Sequence, residues 1–464
     1  MFLENRNKHI FQLVHTNAFI TIYKIFTSSL QLSSSKVVAY LNRCHGLHKP
    51  QITKQMPIVD FINTQNTLNT MFDLIKGRGR TVFASRDAVI YLFNSFRYIG
   101  FNPPATYRVP YFMYSAIITF FAVVFSPVIF NVGWLRDRNK LSVMEILTCV
   151  QASLNVMAVP LKCITLAMAH KRLRGIEPMV TELDERYTTA EDKAKIKQCA
   201  VTGNRLVFGF AVSYFLYETL TVVSALVGGH APLSLWIPNV DWHRSTWEYW
   251  LQVSFDSAVL FFLLYHQVLN DSYPAVYIYI IRTQVQLLAS RVEKLGYDEQ
   301  KSVDENYQEL LECIVIHQKI LKIVSIVESV VSITVFTQFL VAALILGVTM
   351  INIFIFADLT TKIASSTYFF CVLLQTSPTC YHASYLLADC DELRIAIFHC
   401  NWIVQNKRFN NLLIYFLHRS QDSIPFFALK LVPINLATNL SIAKFSFTLF
   451  TFIQEMGLGE NLKG

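Results

Sequence analysis

Charged residues are scarce in this sequence of 464 residues. Asp, Glu, Lys and Arg make up only 16% of the chain, while 53% of it is hydrophobic. An average soluble domain has roughly 25% charged residues. Predominantly apolar stretches recur that are long enough to cross a hydrocarbon core of about 30 Å. Because lipid offers no hydrogen bonds to the backbone, such stretches have to be helical. The composition therefore predicts an all-α membrane protein.

The motifs of common soluble enzymes are also missing. The sequence contains no GxxxxGK[ST] loop, no HExxH and no GxSxG, so we predict that the protein is not an enzyme. None of its nine cysteines lies in a predicted outer loop, and we expect no extracellular disulfides. Cys390, His399 and Cys400 are close in sequence, but their spacing is not that of a CxxC metal site. We expect no metal or other cofactor.

Seven apolar segments are long enough to span a bilayer. They cover residues 111–132, 142–168, 206–227, 251–281, 323–356, 364–387 and 431–454. We interpret residues 1–70 as an N-terminal extension, and poor order is one explanation of its mixed composition. We interpret residues 71–110 as a cytoplasmic amphipathic segment that leads to the membrane. The remainder divides into 111–387 with the first six transmembrane helices, a cytoplasmic segment 388–430, the seventh helix 431–456 and a tail 457–464.

Lys and Arg are distributed unevenly around these segments. Of the 40, 32 lie in residues 1–108, 169–205, 282–322 and 387–431, and six lie in the opposite loops and tail. Because positively charged loops resist translocation, this split predicts a cytoplasmic N-terminus and an extracellular C-terminus. A G-protein-coupled receptor has the inverse orientation and typically carries a cysteine pair in its outer loops. Its architecture therefore does not fit this chain.

Several charged side chains fall within predicted spans, and we weigh three of them for a functional role. Lys162 lies toward the cytoplasmic half of the second span, where it can snorkel to the headgroups. Asp256 lies near the outer end of the fourth span, where its carboxylate can also reach headgroups. Lys444 lies deep in the seventh span, where we weigh structural pairing and a pore role equally.

The C-terminal third resembles a known family, the insect odorant receptors, which are ligand-gated cation channels. The resemblance rests on DELRIAIFHCNWIVQNKRFNNLLIYFLHRSQ and FALKLVPINLATNLSIAKFSFTLFTFIQEM, which are similar to the family's last cytoplasmic segment and seventh helix. Weaker agreement extends over most of residues 71–456. The positions that fit the family's commonest residues are Ala396, Trp402, Lys444, Ser446, Phe450 and Thr451. Phe398, Ile403 and Phe447 stand where the family usually has Tyr.

The resemblance implies a function and a set of partners. The segment 282–322 is short, whereas the family's shared co-receptor has an extra-long loop there, so this chain looks like an odorant-binding subunit. Such a subunit is expected in the plasma membrane of olfactory sensory neurons, in a heterotetramer with the co-receptor around a non-selective cation pore. Its partners would be the co-receptor, a small volatile odorant and membrane lipid, with no nucleic acid. Segment 388–430 would be the subunit anchor, with Trp402 and Lys444 as anchor residues.

The family's odorant site lies in the outer half of the bundle, among the second, third, fourth and sixth helices. A volatile ligand needs aromatic walls and one or two polar groups. On the third helix Tyr214, Tyr217 and Thr221 share one face. At comparable depth, the other three helices offer Leu147, Val150, Gln151, Ser254, Ser257, Phe261, Tyr368, Val372 and Thr376.

The family's gate is an apolar ring in the outer half of the seventh helix. Phe452 and Met456 share a helical face there, and Glu455 lies close to it. An apolar ring can close a pore by dewetting, and an acidic mouth favours cations. Two alternatives stay open: a gustatory-receptor relative, and a seven-helix receptor that signals through a cytoplasmic partner.

Overall fold

The computed structural model describes residues 74–77, 82–101, 108–229, 231–233, 235–356, 359–422 and 424–455. All of them belong to one compact unit, Leu68–Gly464. Residues 1–70, which we interpret as an N-terminal extension, lie outside the described residues. So does the predicted gate residue Met456.

The described chain is built almost entirely of helices, joined by short turns. After a 3₁₀ turn at Ser85–Val89, the helices are α1 Ile90–Tyr98, α2 Arg108–Phe120, α3 Ser126–Asp137, α4 Val143–Arg174, α5 Ile176–Asp184, α6 Ala190–Gly228, α7 Thr246–Glu293, α8 Val303–Ile351, α9 Leu359–His399, α10 Lys407–Ser420 and α11 Leu436–Glu455. One π-helical turn, Phe121–Phe125, joins α2 to α3, and a second, Asn352–Phe356, follows α8.

Serine side chains fix where three of the long helices begin. The Ser142 hydroxyl accepts a hydrogen bond from the Glu145 N–H at the start of α4, and Ser302 caps α8 in the same way. Ser245 caps α7, so that helix begins at Thr246. The prediction that the fourth helix begins at residue 251 was therefore wrong by more than one turn, because the capping serine was not used as a start signal.

The long helices continue well past the predicted membrane boundaries. α7 has 48 residues, which at 1.5 Å per residue gives a length of about 72 Å, more than twice the thickness of a hydrocarbon core. The ends of α4 to α9 pack together with α10 around buried apolar side chains such as Leu173, Leu288, Leu310 and Phe409. The charged segment 170–205 also contributes buried residues, among them Val180 and Ile196, to this core.

A small hairpin precedes the last helix. Strands β1 (Phe427–Ala428) and β2 (Val432–Pro433) pair antiparallel, and Leu429 and Lys430 between them have φ of 50° and 58°. The Leu429 N–H donates to the Ser332 hydroxyl of α8 at 2.7 Å. The predicted span 431–454 was therefore wrong at its start, since α11 begins only at Leu436.

Four stretches of the described chain are long and apolar enough to cross a bilayer. They are Arg108–Arg136, Val143–Asp184, Ala190–Gly228 and Val303–Ile355. The helices α7, α9 and α11 overlap the other three predicted spans.

Candidate functional site

Two tyrosines from different helices face each other in the bundle. The ring centroids of Tyr217 on α6 and Tyr368 on α9 are 6.4 Å apart at an interplanar angle of 31°. Leu154 of α4 packs with Tyr368 and Val372 of α9 in one apolar cluster. Tyr217, Tyr368 and Val372 are therefore the predicted odorant-site residues that lie together here.

Asp271 of α7 is a hydrogen-bonding centre shared by four helices. Its Oδ2 accepts from the Tyr214 hydroxyl of α6 at 2.6 Å and from Gln375 Nε2 of α9. Its Oδ1 pairs with Lys162 Nζ of α4 at 2.8 Å. Tyr214 lies one turn from Tyr217 on the same helix, so this polar centre lies next to the paired tyrosines.

Lys162 does not snorkel, and that expectation was wrong. Its side chain is 1% exposed and donates to Gln267 Oε1 at 3.2 Å and to Gln338 Oε1 of α8, in addition to Asp271. A buried ion pair offsets its desolvation cost only when further hydrogen bonds satisfy both partners, as they do here. The sequence offered a signal that we did not use, an Asp within the fourth predicted span that could pair with the Lys in the second.

A small polar cavity adjoins this centre between α7, α8 and α9. Its walls include Asn270, Pro274, Gln338, Gln375 and Thr376. The cavity volume is about 20 Å³. The Asn270 Oδ1 is buried without a hydrogen-bond partner in the described part of the chain. A cavity of this size is too small for an odorant.

Hydrogen bonds continue from α9 to the last helix. The Thr376 hydroxyl donates to Asn439 Oδ1 of α11 at 2.7 Å, and Asn439 Nδ2 donates to the Ser377 hydroxyl at 2.9 Å. Thr376 and Asn439 are 4% and 8% exposed. Buried polar pairs of this kind fix how two helices pack against each other, because the alternative leaves unsatisfied groups.

Asp256 also departs from its expected position. Its side chain is fully buried, and its carboxylate accepts from the Leu233 N–H at 3.0 Å, the Leu235 N–H at 3.3 Å and Gln252 Nε2 at 2.8 Å. Asp256 therefore holds the loop between α6 and α7 against the N-terminal part of α7. The expectation that its carboxylate reaches headgroups was wrong.

The remaining predicted odorant-site residues differ in burial and in their contacts. On α4, Gln151 is buried with its amide nitrogen unpartnered in the described chain, and Leu147 and Val150 are partly buried. On α7, Ser257 is partly buried, while Ser254 and Phe261 lie at the surface, where Phe261 stacks on Phe215 of α6 at 5.0 Å. The Thr221 hydroxyl donates to the Tyr217 carbonyl at 2.9 Å.

The residues considered for a metal site have another role. Burial raises the pKa of the Cys390 and Cys400 thiols to about 11. The Cys400 thiol donates to the Ile397 carbonyl at 3.2 Å. Within the described residues, no three His, Cys, Asp or Glu side chains are grouped to hold a metal.

Comparison with known proteins identifies the family. The profile described as 7tm odorant receptor matches residues 142–447. Odorant receptor 42a of Drosophila melanogaster is 34% identical over 82% of this chain and 93% of its own length. The chain belongs to the odorant receptor family. Odorant receptor 42b of the same species is 32% identical over 82% of this receptor and 96% of its own length. These relatives are receptors, not enzymes.

A solved structure shares the fold of this odorant receptor. The insect olfactory receptor OR5 from Machilis hrabei superimposes with a TM-score of 0.64, at 14% identity, over 85% of this chain and 99% of its own. Its complex with eugenol matches equally well, at 16% identity. The sequence-based resemblance to insect odorant receptors is therefore confirmed, and this receptor is a helical, multi-pass membrane protein.

Proposed function

We propose that this receptor binds a small volatile odorant and opens a non-selective cation pore that it forms with the odorant receptor co-receptor. The observation that carries the proposal is the pair Tyr217 and Tyr368 beside the polar centre at Asp271. Such a site offers aromatic surface for a volatile molecule and a hydroxyl for one polar group. Odorant-evoked whole-cell current with the co-receptor co-expressed tests the proposal.

The chemistry of the site favours a neutral, mostly apolar ligand with one hydrogen-bonding group. Lys162 and Asp271 already neutralise each other, so a charged ligand would find no counter-charge there. The related Machilis hrabei receptor was solved in complex with eugenol, a neutral aromatic alcohol. The flanking predicted residues on α4, α6, α7 and α9 form the rest of the proposed pocket.

The proposed topology has seven spans with the N-terminus in the cytoplasm. The helices α7, α9 and α11 would supply the fourth, sixth and seventh spans. Gln267, Asn270 and Asp271 of α7 are all buried, so these polar groups do not require contact with lipid. The distribution of 32 Lys and Arg on one side and six on the other supports the orientation.

Epitope accessibility tests this topology. A tag placed before Met1 should be stained by antibody only after permeabilisation, whereas a tag after Gly464 and one in the loop at Asn239 should be stained in intact cells. The positively charged loops cause this result because they are retained in the cytoplasm. Staining of the N-terminal tag in intact cells would invert the proposed orientation. Placing both terminal tags on the same receptor chain controls for membrane damage.

We propose that α11 lines the pore. Ser441, Lys444, Thr448 and Glu455 are all exposed and fall on one stripe of the helix. Phe445 and Phe452 beside them are 56% and 57% exposed. A mixed polar and aromatic face suits a water-filled pore better than lipid, with Phe452 and Met456 as the apolar gate and Glu455 near its mouth. Lys444 then faces the pore rather than a partner inside its own chain.

The subunit anchor is proposed at the tip that follows α9. Trp402 is 39% exposed, and its neighbours Ile403 and Val404 are 77% and 65% exposed. The tip is held in place by Asn401, whose N–H donates to the Leu295 carbonyl at 2.9 Å and whose Nδ2 donates to the Gly296 carbonyl at 3.0 Å. An exposed apolar group on a rigid support is typical of a protein interface.

A further inference from the structure

We propose that a hydrogen-bonded relay from Tyr214 through Asp271 and Gln375 to Thr376 and Asn439 transmits odorant binding to the pore helix. This inference rests on the proposed function, because it links the proposed odorant site to the proposed pore. It assigns a coupling role to side chains outside the predicted gate, and to the predicted pocket residues Tyr214 and Thr376.

The first step of the relay lies between α6 and α7. Tyr217 and Tyr214 are three residues apart on α6, so a ligand that moves the ring of Tyr217 also displaces the turn that carries Tyr214. The Tyr214 hydroxyl is bonded to Asp271 at 2.6 Å. Asp271 is held in turn by Lys162, which bonds Gln338 of α8. A displacement of α6 therefore moves the Asp271 carboxylate. This carboxylate contacts α4 and α9 directly and is linked to α8 through Lys162.

The second step crosses α9. Gln375 Nε2 donates a hydrogen bond to the Asp271 carboxylate. The hydroxyl of the next residue, Thr376, donates to Asn439 Oδ1 of α11 at 2.7 Å. The two side chains are consecutive on one helical turn and line the same small cavity. Tyr368, Val372 and Thr376 repeat every four residues on α9, so the helix that carries one of the paired tyrosines also carries the bond to α11.

The third step is the attachment of α11. Asn439 lies in the first turn of α11, and it bonds both Thr376 and Ser377 of α9. Within the described chain these hydrogen bonds, together with Ser384 bonding the Leu436 N–H at 2.9 Å, hold the start of the pore helix to α9. Movement of α9 is thus passed to α11 at its base, where the side chains of Thr376 and Asn439 are both buried.

Coupling through the relay is tested with a substitution that removes one hydroxyl. Thr376→Val keeps the shape of the side chain and loses the bond to Asn439. In cells that co-express the co-receptor, eugenol and a panel of neutral volatile alcohols, esters and ketones serve as probes. Losing one neutral hydrogen bond between two helices should raise the EC50 of every active odorant about fivefold and lower the maximal current.

Three controls make the result specific. Thr376→Ser retains a hydroxyl and should restore wild-type responses. Thr349→Val removes an equally buried hydroxyl that bonds the Ile345 carbonyl of its own helix, at 2.7 Å, and should not change the EC50. Currents evoked by an agonist of the co-receptor itself should stay unchanged in all variants, because the pore can still open.

A double-mutant cycle identifies the bond itself. If Thr376 and Asn439 act together, Thr376→Val combined with Asn439→Leu should be no worse than Asn439→Leu alone. An unchanged EC50 in Thr376→Val, or a raised basal current without loss of odorant sensitivity, would overturn the relay while leaving the proposed function intact. Absence of any odorant-evoked current from the wild-type receptor with the co-receptor would overturn both.

Discussion

Asp271→Ala should remove most of the receptor from the cell surface. The substitution leaves Lys162, 1% exposed, without its anionic partner, and breaking a buried ion pair by removing one member costs about 3–5 kcal/mol. It also leaves the Tyr214 hydroxyl and the Gln375 amide without their shared acceptor. Since folded proteins are stable by only about 5–15 kcal/mol, this loss should send most of the protein to degradation. Surface biotinylation measures the effect.

Two variants separate charge from shape. Lys162→Met combined with Asp271→Leu removes both charges and should recover much of the surface population, because no charge is left buried alone. Glu191→Ala disrupts the exposed pairs with Lys195 and Lys294 and should express like the wild type, since exposed pairs contribute little. Wild-type surface expression of Asp271→Ala would contradict a structural role for the buried ion pair. An equal loss of surface expression in the double variant would show that side-chain shape, not charge, causes the effect.

Tyr217→Ala and Tyr368→Ala should each weaken the odorant response strongly. The two rings lie 6.4 Å apart, and a truncation removes one aromatic wall of the proposed pocket. A loss of about 1.4 kcal/mol of binding free energy corresponds to a tenfold rise in EC50, and we expect at least that change for odorants that contact the ring. Dose–response curves for several active odorants measure it, and their order of potency should change.

The control for this experiment lies on the same helix. Leu220 of α6 is 60% exposed, so Leu220→Ala should leave the odorant responses unchanged. Tyr217→Phe removes only the hydroxyl and should retain responses to odorants held by ring contact. All variants should keep wild-type surface expression and wild-type activation by an agonist of the co-receptor. Unchanged curves in both alanine variants would place the pocket elsewhere in the bundle.

The positions of the helices were largely predictable from the sequence. Apolar runs decided which segments are helical, and the Ser–x–x–Glu caps at Ser142 and Ser302 mark where α4 and α8 begin. The extent of the helices was harder to predict, because α8 begins at Val303, well before its apolar run, as a partly buried helix with many polar residues. The hairpin before α11 was missed, since two-residue strands leave no alternating pattern.

The polar centre was not predictable in the same way. Spacing along one helix showed that Tyr214 and Tyr217 share a face, but the partner of Lys162 depends on how α4 and α7 pack. That packing is decided by contacts between residues far apart in the chain, which one sequence does not display. Asp256 illustrates the same point, because only the folded loop brings the backbone N–H groups of Leu233 and Leu235 to its carboxylate.

We propose that this receptor is the odorant-binding subunit of an odorant-gated cation channel. The most direct measurement is whole-cell current during odorant application, in cells that express the receptor with the co-receptor while G-protein signalling is blocked. We expect an inward cation current that needs both subunits, persists under the block and depends on Tyr217 and Tyr368. A response that disappears under the block, or is the same without the receptor, would contradict it.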